Sequence, residues 1–256
     1  MKEYLSYEQP LNERVRAFLR LEKLFQQFSF HVKHGSVWNS PVAIESINEL
    51  QTFTARSDIK LEALKELERQ HTRLERLAKR PQIDQNQLLS VLQKQKNLIE
   101  RLQAITGSSD KETQQAELLT TIKQKSSVPG CICDFDLPAY QFWLSRPEEV
   151  RTAHLETWFK RFSTMDKSVH LILDILRHSV EETEEHAPNG FYQKSLDTNQ
   201  KIQLLIISVP KGSNYYPEIS AGKHRFSVRF MTNDDPSKRP EQSNENIDFK
   251  LRMCAI

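Results

Sequence analysis

"GKHRFSVRFM", residues 222–231, decides how the second half of the chain is read. In strides of two, His224, Phe226, Val228 and Phe230 fall on one side, and Lys223, Arg225, Ser227 and Arg229 on the other. Successive side chains of a β-strand point to opposite faces. The stretch is therefore predicted to be a strand with an apolar inner face and a row of cations outside. The same period governs "GFYQKSL" (190–196), "IQLLIISVP" (202–210) and "NIDFKLRMC" (246–254). In the last, Ile247, Phe249, Leu251 and Met253 oppose Asp248, Lys250 and Arg252. If it pairs with 222–231, Arg225, Arg229, Lys250 and Arg252 merge into one basic patch. "YLSYEQ" (4–9) offers one more strand.

Before this region the period is helical. Leu11, Val15, Phe18, Leu21, Phe25 and Phe28 recur at steps of three and four, predicting a helix over 10–32 with Pro10 in its first turn. Arg16, Arg20, Lys23 and Gln27 form a separate stripe, whose plain reading is a solvated face. A helix over 41–53 follows, then a long one capped by Ser57 or Asp58. Its stripe is Leu64, His71, Leu74 and Ala78, flanked by Leu61, Leu67 and Leu77, with Glu75 and Lys79 as an outer i,i+4 pair. Pro81 ends it and Asp84 opens the next, where Leu88, Val91, Gln95, Leu98, Leu102 and Ile105 stand at near-heptad spacing. Two long helices so joined predict an antiparallel hairpin. A helix over 112–125 and three more through "AYQFWL" (139–144), "PEEVRTAHLETWFKRF" (147–162) and the strongly apolar "MDKSVHLILDILRHSV" (165–180) complete this part. Asp136 is placed to cap the first of these three. The acidic "EETEEHAPNG" (181–190) reads as a connector. The expected fold is α+β: a large helical domain over 1–188, then a small, mostly antiparallel β-domain over 189–256, with residues 1–9 as a candidate strand of its sheet.

Composition narrows the function classes. Hydrophobic residues make up 38% and charged residues 27% of 256 residues, and the formal net charge is +2, so any basic surface is local. The N-terminus lacks a signal-peptide core, and "LLIISV" is too short to span a bilayer, so a cytoplasmic protein without membrane association is expected. Cys131, Cys133 and Cys254 fit buried reduced thiols. None of the six glycines builds a phosphate loop. His31 and His34 share a helix face but have no evident further ligands, and Asp134 and Asp136 precede a proline in a loop. No nucleophile, base and orienting group assemble, so no enzyme, cofactor or metal site is expected.

Two binding readings stay open on chemistry alone. Nucleic acid would need aromatics among the outer cations for stacking, whereas Phe226 and Phe230 lie on the opposite face. An acidic or amphipathic peptide suits arginine, whose planar fork pairs bidentately with carboxylates. Exposed pairs contribute only about 0–1 kcal/mol each. Such a site gains from a nearby apolar anchor, or from two copies in a dimer acting on a polymeric target.

Several long blocks then resemble one family. "YEQPLNERVRAFLRLEKLF" (7–25), "LKELERQ" (64–70), "KQKSSVPGCICDFDLPAYQFWL" (123–144), "NGFYQKSL" (189–196) and "YPEISAGKHRFSVRFM" (216–231) occur in the order found in the ZapD family of bacterial cell-division proteins. The resemblance implies a helical domain plus a β-domain, a homodimer and no enzymatic activity. It implies binding to the acidic, amphipathic C-terminal tail of FtsZ, with bundling of FtsZ filaments and recruitment to the midcell ring. It carries a role in that binding to Arg20, and to Arg225 and Arg229 of the Arg-Phe-x-(Ile/Val)-Arg-Phe strand. Lys223, Arg16 and Lys23 are added from geometry. Glu117 and Gln141 stand where some members have Arg and His, so part of the family's basic surface is altered here.

Overall fold

The computed structural model describes residues 3–56, 58–77, 84–105, 117–125, 135–197, 200–233, 235 and 237–255. In chain order the elements begin with β1 (Tyr4–Pro10), α1 (Glu13–His34), α2 (Asn39–Arg56), α3 (Ile59–Leu77), α4 (Gln85–Ala104), α5 (Glu117–Lys125) and α6 (Pro138–Leu144). They continue through α7 (Glu148–Phe159), α8 (Ser163–Arg177), β2 (Thr183–Ala187), β3 (Phe191–Ser195) and β4 (Ile202–Pro210). The last are β5 (Tyr215–Ala221), β6 (Arg225–Thr232), β7 (Glu241–Gln242) and β8 (Ile247–Ala255). The α+β class is as expected: after β1 the helices come first and the remaining strands of the antiparallel sheets follow. The chain divides into two compact units, one of Met1–Ala17 with Leu173–Ile256, the other of Phe18–Ile172, with the cuts inside α1 and α8.

The first unit holds two antiparallel sheets. One runs β1-β4-β8-β2, and the other runs β3-β6-β5 with β7 on β6. Leu205, Ile207, Val209, Ile247, Phe249 and Leu251 of the first sheet share a core with Phe226, Val228 and Phe230 of the second. The ring centroids of Phe230 and Phe249 lie 5.1 Å apart across it. The "YLSYEQ" strand forms as β1, with Tyr4 opposite Pro210 and Pro10 opposite Leu204. Pro10 therefore closes a strand and does not open α1. Asn12 starts that helix, its side-chain Oδ1 accepting from the Val15 amide at 2.9 Å. At the other end of the unit's helical portion, Arg177 grips Glu8 bidentately at 2.6 and 2.9 Å. Its carbonyl receives the buried Cys254 thiol, whose pKa burial pushes up to about 11. Cys254 is thus the buried free thiol expected, while Cys131 and Cys133 lie outside the described residues.

Three strands escaped the sequence reading: β2, β5 and the two-residue β7. The "EETEEHAPNG" stretch is no free connector: its middle is β2, paired along β8 from Thr183↔Leu251 to Ala187↔Ile247. A charge run looks solvated until its partners are known, and here they are specific. Glu182 binds Lys250 at 2.7 Å and Arg252 at 3.0 Å, and Glu185 binds Lys194 at 2.9 Å and the Tyr192 hydroxyl at 2.8 Å. Of the other two, β5 carries Pro217, which cannot donate to a ladder and is tolerated because β5 is an edge.

The Glu182 cluster has a pH consequence. Burial raises the Glu182 pKa, but hydrogen bonds and charge from Lys250 and Arg252 outweigh it and hold the group below its ordinary value of 4.5. A carboxyl depressed in the folded state stabilises above its unfolded pKa, and that contribution fades as pH falls through the folded one. Glu182→Gln is therefore expected to flatten the acid-side loss of stability below pH 4.5, read from urea midpoints across a pH series. Superimposable wild-type and variant profiles would count against it.

The second unit is helical. Phe18, Leu21, Phe25 and Phe28 of α1 are buried as the spacing predicts, with Ile44, Ile47 and Leu50 of α2 and Val169 and Ile172 of α8. The hairpin of α3 and α4 is antiparallel: Glu68 meets Gln103 at 3.4 Å, and His71 meets Gln95 at 3.2 Å. Asp84 caps α4 through the Asn86 and Gln87 amides at 2.9 and 3.1 Å. His71 is the half-buried boundary residue expected, with Glu75 3.5 Å away, whereas Lys79, Pro81 and Ser57 lie outside the described residues. The buried stripe of α3 is rotated from the expected one. It runs Ile59, Ala63, Glu66, Leu67 and Gln70, while Leu61 is exposed. The reason is polar: Glu66, only 2% exposed, accepts from Arg69 at 2.9 Å and from Gln70 at 3.1 Å, and Gln70 also reaches the Ile172 carbonyl at 3.2 Å. Asp136 does not cap α6; Leu137 holds the N-cap position without a side-chain bond, and Pro138 starts the helix.

Candidate functional site

The candidate site is the outer face of the β3-β6-β5 sheet. Phe226, Val228 and Phe230 are buried beneath it, which forces Arg225 and Arg229 outward into solvent. The two arginines are four residues apart on one strand, so their Cα atoms stand about 13 Å apart. Among the described residues no carboxylate is paired with either guanidinium within the 4.0 Å limit of an ion pair. Lys223 does not continue their row. It lies in the turn between β5 and β6, where the Gly222 amide bonds the Arg225 carbonyl at 2.9 Å. His224 is likewise exposed in that turn and is not part of the inner face.

The merged patch with Lys250 and Arg252 does not form. β8 pairs with β4 and β2, and β6 pairs with β3, β5 and β7, so the two strands belong to different sheets. Lys250 and Arg252 are also neutralised by Glu182 at 2.7 and 3.0 Å. The Glu182 hydrogen bond raises the Lys250 pKa, as expected for a committed ammonium.

Register supplies what β6 alone concealed. Directly opposed residues of an antiparallel pair share a face. Phe191 stands opposite Arg229 on one side, and Glu218 opposite it on the other. Gln193 and Ser220 flank Ser227, Ser195 faces Arg225, and Tyr216 and Gln242 flank Met231. Phe191 is 37% exposed. The face therefore does carry an exposed aromatic beside a cation, contrary to the reading of β6 by itself. The alternating "GFYQKSL" already put Phe191 and Tyr192 on opposite faces, but not which of them lies beside which arginine.

Phe191 is held by its neighbours. Asn189 and Gly190 adopt φ of +49° and +66°. A Cβ on Gly190 would meet the Ser243 carbonyl oxygen at 2.4 Å, a contact with fixed backbone, so glycine is required there. The Gly190 amide bonds the Glu245 carbonyl at 2.8 Å, and the Ser243 amide bonds Phe230 O at 2.8 Å, which pins the start of β3. One residue on, Tyr192 points inward onto Phe249 and donates to Glu185. Burial, then Glu185, raises its pKa, so its proton stays on the hydroxyl.

The stripe on α1 is present as a helix face. Arg16 is half-exposed and sits 3.1 Å from Glu13, an i,i+3 neighbour. Arg20 and Lys23 are exposed, and among the described residues neither is paired with a carboxylate. Glu117, the first residue of α5, and Gln141 on α6 are exposed. His31 and His34 are occupied locally, by Asn39 at 2.6 Å and the Phe30 carbonyl at 2.7 Å. Among the described residues no group of three or more His, Cys, Asp or Glu could hold a metal, and no helix is long and apolar enough to cross a membrane. The arrangement on the sheet can bind. Two open guanidiniums offer planar, bidentate donors to carboxylates, with an aromatic ring alongside.

A family model described as "ZapD: Cell division protein" matches residues 19–229. The chain is 39% identical to the "Cell division protein ZapD" of Methylococcus capsulatus, over 100% of both chains. It is 34% identical to the protein of that name from Bordetella petrii, covering 97% of this chain and 98% of that one. The corresponding protein of an Enterobacter species is 34% identical over 99% of this chain and 100% of its own.

Proposed function

The chain belongs to the ZapD family of cell division proteins, and from that premise we propose that it binds the C-terminal tail of FtsZ and, as a homodimer, cross-links FtsZ filaments. The observation that carries this reading is the pair Arg225 and Arg229: exposed, on one face, and without a carboxylate partner among the described residues. An acidic tail lying on that face supplies the missing carboxylates. Arg20, with Arg16 and Lys23, is proposed as a separate cationic stripe on α1, and Lys223 adds a cation at the hairpin turn beside the sheet face. Each exposed charge pair is worth only about 0–1 kcal/mol. Two linked tail sites on a dimer raise avidity by about 10²- to 10⁴-fold, which suits a weak site to a polymer. The protein acts in the cytoplasm at the midcell ring without catalysis or cofactor.

The test is co-sedimentation with polymerised FtsZ. Arg225→Glu with Arg229→Glu turns two attractions into repulsions and should weaken binding about tenfold or more. A tail-less FtsZ should lose binding to the wild-type protein as well. A folded double variant that bundles filaments like the wild type would overturn the assignment of this face.

A further inference from the structure

We propose that Phe191 is the apolar anchor of this face, so that the ligand it selects is an acidic segment with an apolar side chain next to a carboxylate. The inference rests on the tail-binding reading above and adds what charge alone leaves out. Phe191 is exposed on β3, directly opposite Arg229. Opposed residues of an antiparallel pair have Cβ atoms about 5 Å apart. A carboxylate on Arg229 therefore brings the neighbouring part of its own chain over the Phe191 ring. The middle row of the face, Gln193–Ser227–Ser220, is made of polar residues with two small serines, leaving room for an extended backbone between the two arginines. Tyr216 and Met231 border the Arg229 end, and Ser195 borders the Arg225 end. The apolar surface is thus concentrated at Arg229.

The two arginines without a carboxylate ion pair among the described residues favour an acidic occupant, and the position of Phe191 beside Arg229 commits one side chain of that occupant to be apolar. The ring is costly to leave in water, and the left-handed Asn189–Gly190 turn before it sets the start of its strand. Two exposed arginines alone would bind any acidic polymer and release it in salt, since exposed charges are screened over about 8 Å at physiological ionic strength. Apolar contact is not screened.

The experiment is fluorescence anisotropy of a labelled FtsZ tail peptide with the full chain. It compares wild type, Phe191→Ser, Phe191→Leu and the Arg225→Glu, Arg229→Glu double variant, at low and high salt. Phe191→Ser should weaken binding about tenfold, with the loss persisting in high salt, and Phe191→Leu should retain most of the affinity. A peptide of acidic residues and glycine only should bind wild type and Phe191→Ser equally. If the double variant loses binding while Phe191→Ser matches wild type, the anchor is wrong and the tail-binding reading stands. If neither weakens binding, the reading itself falls and the anchor with it. Phe191 is only 37% exposed, so melting curves of the Phe191 variants are recorded alongside binding, and Phe191→Leu should stay closer to the wild type than Phe191→Ser. If Phe191→Ser melts early, Phe191→Leu against the glycine–acid peptide decides the question: a leucine that does not discriminate the two peptides overturns the anchor.

Discussion

Arg151→Met is expected to destabilise the helical unit by about 3 kcal/mol, although Arg151 lies far in sequence from every residue assigned to binding. The side chain is 3% exposed and its guanidinium is spent on fixing loops. It donates to the Gly35 carbonyl at 2.9 Å, the Ser36 carbonyl at 3.3 Å, the Arg146 carbonyl at 3.1 Å and the Ser40 hydroxyl. One fork thereby ties the turn between α1 and α2 to the link between α6 and α7. Gly35 turns the chain at φ +48°, exposing a carbonyl that no helix bond satisfies and that Arg151 takes up. Methionine fills a similar volume but leaves the buried Gly35 carbonyl without this donor, at about 1–3 kcal/mol, and also forfeits the bonds to Arg146, Ser36 and Ser40. Lysine keeps the charge but not the planar fork, so Arg151→Lys should fall between the two. Urea midpoints followed by far-UV circular dichroism measure this. A shift in Arg151→Met worth under about 1 kcal/mol would show that the loops hold without it.

Arg151 also marks where sequence reading stops. "PEEVRTAHLETWFKRF" reads as a helix and is one, but an arginine within it looks like any solvated cation. Its burial depends on carbonyls more than a hundred residues earlier in the chain. The same limit explains the acidic stretch before β3. Glu182 and Glu185 look like a soluble linker until Lys250, Arg252 and Lys194 arrive opposite them. Local period, by contrast, was legible. The inner triplets of β6 and β8 and the Phe18–Phe28 stripe of α1 are buried as their spacing predicts. So was the outward aim of Arg225 and Arg229. What period cannot give is which strand lies beside which. That missing register split Lys250 and Arg252 from the arginines and concealed Phe191. It also misplaced the face of α3, where Glu66 and Gln70 are buried because Arg69 and the Ile172 carbonyl receive them, while leucine at 61 stays in water.

Phe230→Ala should destabilise the sheet unit by about 3–5 kcal/mol, whereas Arg229→Ala, one residue away, should change stability by less than about 0.5 kcal/mol. Phe230 is wholly buried, edge-on to Tyr215 at 5.8 Å and 5.1 Å from Phe249 of the facing sheet. Its removal leaves a cavity between two sheets whose spacing is fixed by several other large side chains, so collapse is limited and the cost is near the upper end. Arg229 touches solvent, and its removal leaves no void. Binding should sort the other way. Arg229→Ala should lower the proposed tail affinity in a fully folded protein, while a Phe230→Ala protein held at low temperature should bind in proportion to its folded fraction. The two effects separate because a strand assigns alternate residues to opposite faces. Equal losses of stability from both substitutions would mean that Arg229 is a packing residue, and the outer face would then have no claim to be a binding surface.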